Sequence, residues 1–97
     1  MKVRNITSHS TGRAVPNQFI IITDAGRYFQ SYDSIIVFIP SNTDWAADHN
    51  GKTQLDEKYW DYSVTTGRYR NQFLGETRKE TQVKIDSGEY VLTDLNK

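Results

Sequence analysis

Two histidines, twelve carboxylates and no cysteine set the chemistry open to this chain. Without cysteine there is no thiolate metal site, no thiol nucleophile and no disulfide. His9 and His49 each lack a second strong ligand at helical spacing, and Asp48-His49 lies in a polar stretch, so no metal is expected. Hydrolysis by acid–base catalysis needs two carboxylates converging on one bond. Asp56-Glu57 is the densest acidic pair, but neighbours in extended chain point to opposite faces, and with Asp61 they read as a solvated acidic edge. Ser10 beside His9 has nothing to orient it, and neither a G-x-S-x-G turn nor a phosphate-cradling glycine loop is present. The expectation is a non-enzymatic chain with no cofactor.

Two charged regions remain. Between Arg68 and Lys84 there are five basic residues (Arg68, Arg70, Arg78, Lys79, Lys84) against Glu76 and Glu80, with Tyr69 and Phe73 interleaved. Such a surface could contact nucleic acid, although Arg68 and Arg70 stand about 200° apart around a helix and cannot share its face. Between Ser41 and Asp61 the balance reverses: Asp44, Asp48, Asp56, Glu57 and Asp61 stand against Lys52 and Lys58. Trp45 lies in the same stretch and Tyr62 directly follows it. Aromatic residues of this kind are enriched at binding hot spots, so Asp44, Trp45, Asp48, Asp56, Glu57 and Tyr62 form the candidate contact surface for a protein partner. Trp60 is read as a plug between sheet and helix.

The elements that would position these residues follow from pattern. Gln18 to Thr23 is an aromatic and β-branched run that predicts a strand, and Asp24-Ala25-Gly26 a hairpin with Gly26 at positive φ. The return strand runs from Arg27 to Tyr32. Ile35–Ile39 is apolar on both faces, which predicts a strand covered on two sides and closed by Pro40. Met1 to Thr7 is a candidate edge strand, and Lys52 to Leu55 a short strand pairing back onto Ile35–Ile39. After Lys58 the period changes. Ser63 is placed as an N-cap, Thr66, Tyr69 and Phe73 on one helical face, and Gly75 as the stop. Thr77 and Glu80 form a capping box for a second helix closed by Ser87-Gly88, with a Glu80–Lys84 pair and with Thr81 and Ile85 inward. Tyr90 to Leu92 reads as an extended return to the core.

At 97 residues the chain is expected to form a single α+β domain over 1–97. A small antiparallel sheet of three to five strands packs with two consecutive helices, about 64–74 and 78–87. The formal net charge is zero, which argues against a globally basic nucleic-acid binder. The polar first ten residues and the lack of a long apolar run predict a cytoplasmic chain with no membrane span.

The stretches Asn17-Gln18-Phe19, Phe29-Gln30-Ser31-Tyr32, Tyr59-Trp60-Asp61-Tyr62-Ser63, Tyr69 to Gly75, and Ser87-Gly88-Glu89-Tyr90 with Leu92 to Asn96 resemble a small uncharacterised family encoded by bacteriophages and prophages. That resemblance brings no catalytic residues. It implies a small accessory protein in the bacterial host cytoplasm, one that binds and blocks a host or defence protein in the manner of an anti-CRISPR protein. In that reading the acidic, aromatic segment 41–61 makes the contact. The alternative is a nucleic-acid-binding regulator using Arg68, Arg70, Arg78 and Lys79. Neither the partner nor the oligomeric state follows from the sequence.

Overall fold

The computed structural model describes residues 1–97. The elements are β1 (Lys2–Thr7), β2 (Ala14–Ile22), β3 (Gly26–Ser31), β4 (Ser34–Pro40), β5 (Gln54–Asp56), α1 (Val64–Leu74), α2 (Arg78–Asp86) and β6 (Val91–Thr93), with one 3₁₀ turn at Asp48–Gly51. All strands join one sheet in the order β1-β2-β3-β4-β5-β6. The architecture is α+β, with six strands rather than three to five. The sheet is also mixed: β6 runs parallel to β5. The reason is the connection, since a chain that leaves β5, builds two helices and returns by a crossover enters in the same direction.

The local signals act as their chemistry requires. Thr23 closes the first hairpin by holding Gly26 through its backbone, and a Cβ at Gly26 (φ 151°) would collide with the Ile39 carbonyl. Ser63 accepts the Thr66 amide at 3.1 Å to start α1, and Gly75 ends it in the left-handed region at φ 71°. The Glu80 carboxylate accepts the Thr77 amide at 3.0 Å and the Thr77 hydroxyl accepts the Glu80 amide at 3.2 Å, so the capping box opens α2. Because Glu80 is held there, Lys84 turns instead to Glu76 at 2.6 Å.

The core is small. Ile6, Phe29, Ile36, Val37 and Leu55 are the buried hydrophobic residues, and Tyr69, Phe73 and Leu74 of α1 and Ile85 of α2 pack against them. Phe29 and Phe73 stack with ring centroids 5.8 Å apart. A bulge where β3 meets β4 lets Ile36 and Val37, adjacent in sequence, both be buried. Both helices therefore cover one face of the sheet. The other face carries the rows Val3–Ile21–Tyr28–Phe38–Gln54 and Asn5–Phe19–Gln30–Ile35, paired directly across strands, and none of these side chains packs on the core. The two-sided apolar character of β4 is matched by a cover on one side only.

Polar ties hold the ends of this thin structure. Asp56 is buried, which removes it from the expected solvated edge, while its neighbour Glu57 is exposed. Its carboxylate accepts the amides of Lys58 (3.1 Å), Tyr59 (2.8 Å) and Leu95 (2.9 Å), joining the end of β5 to the following turn and to the C-terminal tail. One residue on, the Asn96 amide pairs with both backbone groups of Ile35, at 2.7 and 2.9 Å, on the stretch of β4 that β5 leaves uncovered. Gln18 is a cost: it is fully buried opposite Ser31, and neither amide atom has a partner.

Asp56→Ala orphans three backbone amides at once and is expected to lower stability by about 2–4 kcal/mol, whereas Glu57→Ala stays within about 0.5 kcal/mol. Urea denaturation of the two variants checks this, and equal losses would contradict the role given to Asp56.

Candidate functional site

The segment between β5 and α1 is where the sequence places most of its aromatic and charged residues, and the structure organises it around Arg70. This residue points inward from α1 and is 1% exposed. Its Nη1 donates to the Trp60 carbonyl at 2.6 Å and to Asp61 Oδ1 at 3.1 Å, and its Nη2 donates to Asn71 Oδ1 at 3.0 Å. The guanidinium carbon lies 5.2 Å from the centre of the Trp60 ring. Arg78, from the first turn of α2, stands 5.5 Å from the same ring and donates from Nε to Asp61 Oδ2 at 2.7 Å. One carboxylate thus links both helices, and Trp60 is both the expected plug and a platform for two cations.

Burial works against ionising Asp61, yet the hydrogen bonds and charge of Arg78 and Arg70 hold its carboxyl below the ordinary 3.8. A second buried knot ties the residue just before the α2 cap to the helix and to the chain beyond it. Glu76 takes the Lys84 ammonium at 2.6 Å, the Tyr90 hydroxyl at 2.6 Å and the Thr81 hydroxyl at 3.0 Å. Burial again opposes ionisation, and these three donors keep Glu76 below 4.5. The bond to Glu76 raises Lys84 above 10.5, while burial and the same carboxylate push the Tyr90 phenol up to about 12.

The two candidate surfaces of the sequence fare differently. Arg70 is withdrawn from the exposed basic surface, because it is 1% exposed and both its terminal nitrogens are engaged within the fold. Arg68, Arg78 and Lys79 are exposed. Arg68 and Arg70 nevertheless border the same cavity of about 620 Å³ together with Arg78, because Arg70 reaches it from below while Arg68 reaches it from the side. Helical spacing alone concealed this, since it describes the outer surface of a helix and not a hollow beside it.

The acidic, aromatic set is divided. Asp44, Trp45 and Asp48 are exposed on the connection that leaves β4 at Pro40, opposite Gly26. Trp45 is 81% exposed. Glu57 and Tyr62 lie at the other end of the sheet, where Tyr62 lines a hollow with Tyr32 and Asp33 beyond Ser31. Strand β3 separates the two groups by roughly 17–20 Å. Asp56 belongs to neither.

What the sequence reading missed is the open sheet face. Val3, Phe19, Ile21, Tyr28, Ile35 and Phe38 share it, Tyr28 and Phe38 stack with centroids 4.4 Å apart, and its two rows contain no charged residue. The signal was present in the uninterrupted apolar runs Phe19–Ile22 and Ile35–Ile39, where a solvent-facing antiparallel sheet normally alternates. No group of three or more His, Asp or Glu side chains is arranged to hold a metal ion, and no helix is long and apolar enough to cross a membrane.

Residues 1–89 match the model of a family of unknown function, DUF8033. The chain belongs to that family. No curated protein and no solved structure matches it. The match extends from β1 through both helices and stops just before β6, so it takes in Asp56, Trp60, Asp61, Arg70 and Arg78.

Two outcomes test this electrostatic framework. Arg70→Met leaves the Trp60 carbonyl and Asp61 short of donors in a buried setting and is expected to cost about 3–5 kcal/mol, read as a shift of the urea midpoint. Stability should also form a plateau between about pH 5 and about pH 9. Asp61 and Glu76 have lowered folded values, so their contribution is complete above their unfolded values and fades as pH falls through the folded ones. Lys84 and Tyr90 have raised folded values, so theirs is complete below about 10 and fades as pH rises beyond it. Melting temperatures across this range check both limbs, and Tyr90→Phe should flatten the alkaline one.

Proposed function

We propose that this chain is a non-enzymatic binding protein that acts through protein–protein contact, with the open face of the sheet as its contact surface. The observation that carries the reading is a pair of uncharged, largely apolar rows on a sheet whose other face is covered by both helices. Two-layer domains bury one sheet face and keep the other polar, and contiguous exposed apolar patches on small domains mark interaction sites. Here Val3 is 56% exposed, and Phe19, Ile21, Tyr28, Ile35 and Phe38 are each partly exposed beside it. An absent charge is as informative as the apolar character, because a charged group in the centre of such a face would carry a desolvation penalty on contact.

In its narrower form the partner is a host or defence protein of the bacterial cytoplasm, and contact inhibits it; the resemblance to phage-encoded accessory proteins supports that form. Trp45, with Asp44 and Asp48, then extends the contact from the end of the sheet toward a basic surface of the partner. A second reading, nucleic-acid binding, draws on the exposed Arg68, Arg78 and Lys79.

A photo-crosslinking amino acid at Phe19, at Trp45 or at Lys79 separates these readings in cells that express the protein. Adducts to one protein from position 19 are expected. Adducts from position 45 alone would move the contact to the acidic loop, adducts to nucleic acid from position 79 alone would favour the second reading, and no adduct from any position would sink all three.

A further inference from the structure

The cavity between α1, α2 and the turn before α1 has a built floor. The Arg70 guanidinium forms it, buried and fixed by three hydrogen bonds, with its Nε unpartnered. Arg70 is 1% exposed, and Gly67, which also lines the cavity, lies against it. A Cβ there would stand 3.6 Å from Nη2 and 3.8 Å from Nη1 of Arg70. Arg68 and Arg78 form the sides. Arg68 makes no ion pair, and Arg78 spends only its Nε on Asp61, leaving both terminal nitrogens free. The rim is the start of α1, where Ser63 and Val64 line the opening ahead of the first intrahelical bond, from Gly67 to Ser63. Its unpaired amides and the helix dipole favour an anion there.

Charge selects the class of ligand. Three guanidiniums and one ionised carboxylate border the cavity, a surplus of two positive charges. Arginine forks match the oxygens of a phosphoryl group in pairs. From this arrangement we infer that the cavity is a binding site for a dianionic phosphoryl group, either free phosphate or the terminal phosphate of a monoester. A nucleic-acid diester, with one charge per phosphate, fits it less well. Asp61 stands in the cavity wall, and the Trp60 ring is already occupied by Arg70 and Arg78, so no aromatic platform is left for a base. The site lies on the helical side of the molecule, away from the open sheet face, and is independent of what covers that face.

Isothermal titration with inorganic phosphate, with a nucleoside 5′-monophosphate and with a duplex oligonucleotide, at constant ionic strength, tests the inference. Saturable one-to-one binding of phosphate and of the monoester is expected. It should tighten between pH 5.5 and pH 8 as the phosphoryl group takes its second charge, with a pKa of about 6 for the monoester. Arg68→Gln removes a free fork and should weaken binding at least about tenfold, the cost of one charged hydrogen-bonding partner. Gly67→Leu roofs the Arg70 guanidinium and should abolish binding. Leucine is the better helix former, so the variant should melt no lower than the parent, and that melting temperature separates a blocked site from a lost fold. Binding that is unchanged in Arg68→Gln, or a response to phosphate no larger than to chloride, would overturn the proposal. Binding of the oligonucleotide without the monoester would also overturn it, in favour of a nucleic-acid surface.

Discussion

A single buried cation organises the C-terminal half of this protein. Arg70 has lost its water, and a guanidinium in that position is tolerable only if its donors are met and its charge is answered. The Trp60 carbonyl, Asp61, Asn71 and the Trp60 ring do this together for the charge and the two terminal nitrogens, leaving only Nε unpartnered, and each of them is thereby fixed. The turn between β5 and α1 has no regular backbone ladder to define its path. Arg70 supplies that definition from the helix that follows, and Asp61 passes it on to Arg78 and so to the start of α2. The relative placement of the two helices depends on one carboxylate shared by two arginines.

The need for such ties follows from the size of the apolar core. Five buried hydrophobic side chains cannot specify the positions of six strands and two helices through packing alone, because apolar contact is not directional. Polar groups that find partners are directional, and this fold places them at several junctions. Asp56 fixes the exit from β5 and the tail, Asn96 completes the edge of β4, and Glu76 collects Thr81, Lys84 and Tyr90 where α2 returns to the sheet. Ser31 and Thr66 join the sheet to α1 at 2.9 Å. Gln18 breaks the pattern, buried with neither amide atom paired, and Arg70 Nε is a second buried orphan.

The same economy leaves the molecule two-sided. Both helices are needed on one face to bury Phe29, Val37 and Leu55, so no element remains for the other, although its residues are as apolar as those of a covered sheet. Charge is sorted in parallel. Basic groups gather around the cavity at α1 and α2, acidic groups project on the loops at the two ends of the sheet, and the open face carries neither. A largely apolar, uncharged face and an open basic hollow differ in what they can hold, and that is why a macromolecular contact and a small anion are assigned to different sides.

Much of the fold was legible from residues close together in sequence. Both helix starts were, because Ser63 and the Thr77–Glu80 box satisfy amides within three residues of themselves, and so were the stop at Gly75 and the hairpin at Gly26, where steric rules are local. The α+β class and most strands followed from pattern for the same reason. Tertiary structure alone decided the parallel entry of β6, the burial of Asp56 and Arg70, and the choice of Glu76 over Glu80 by Lys84. A charged side chain reads as exposed in sequence, and only the partners brought to it from 9, 14 or 39 residues away make its burial affordable. The open face lies between these cases: its apolar runs could be read directly, but that only one side of them would be covered depended on where both helices found room to pack.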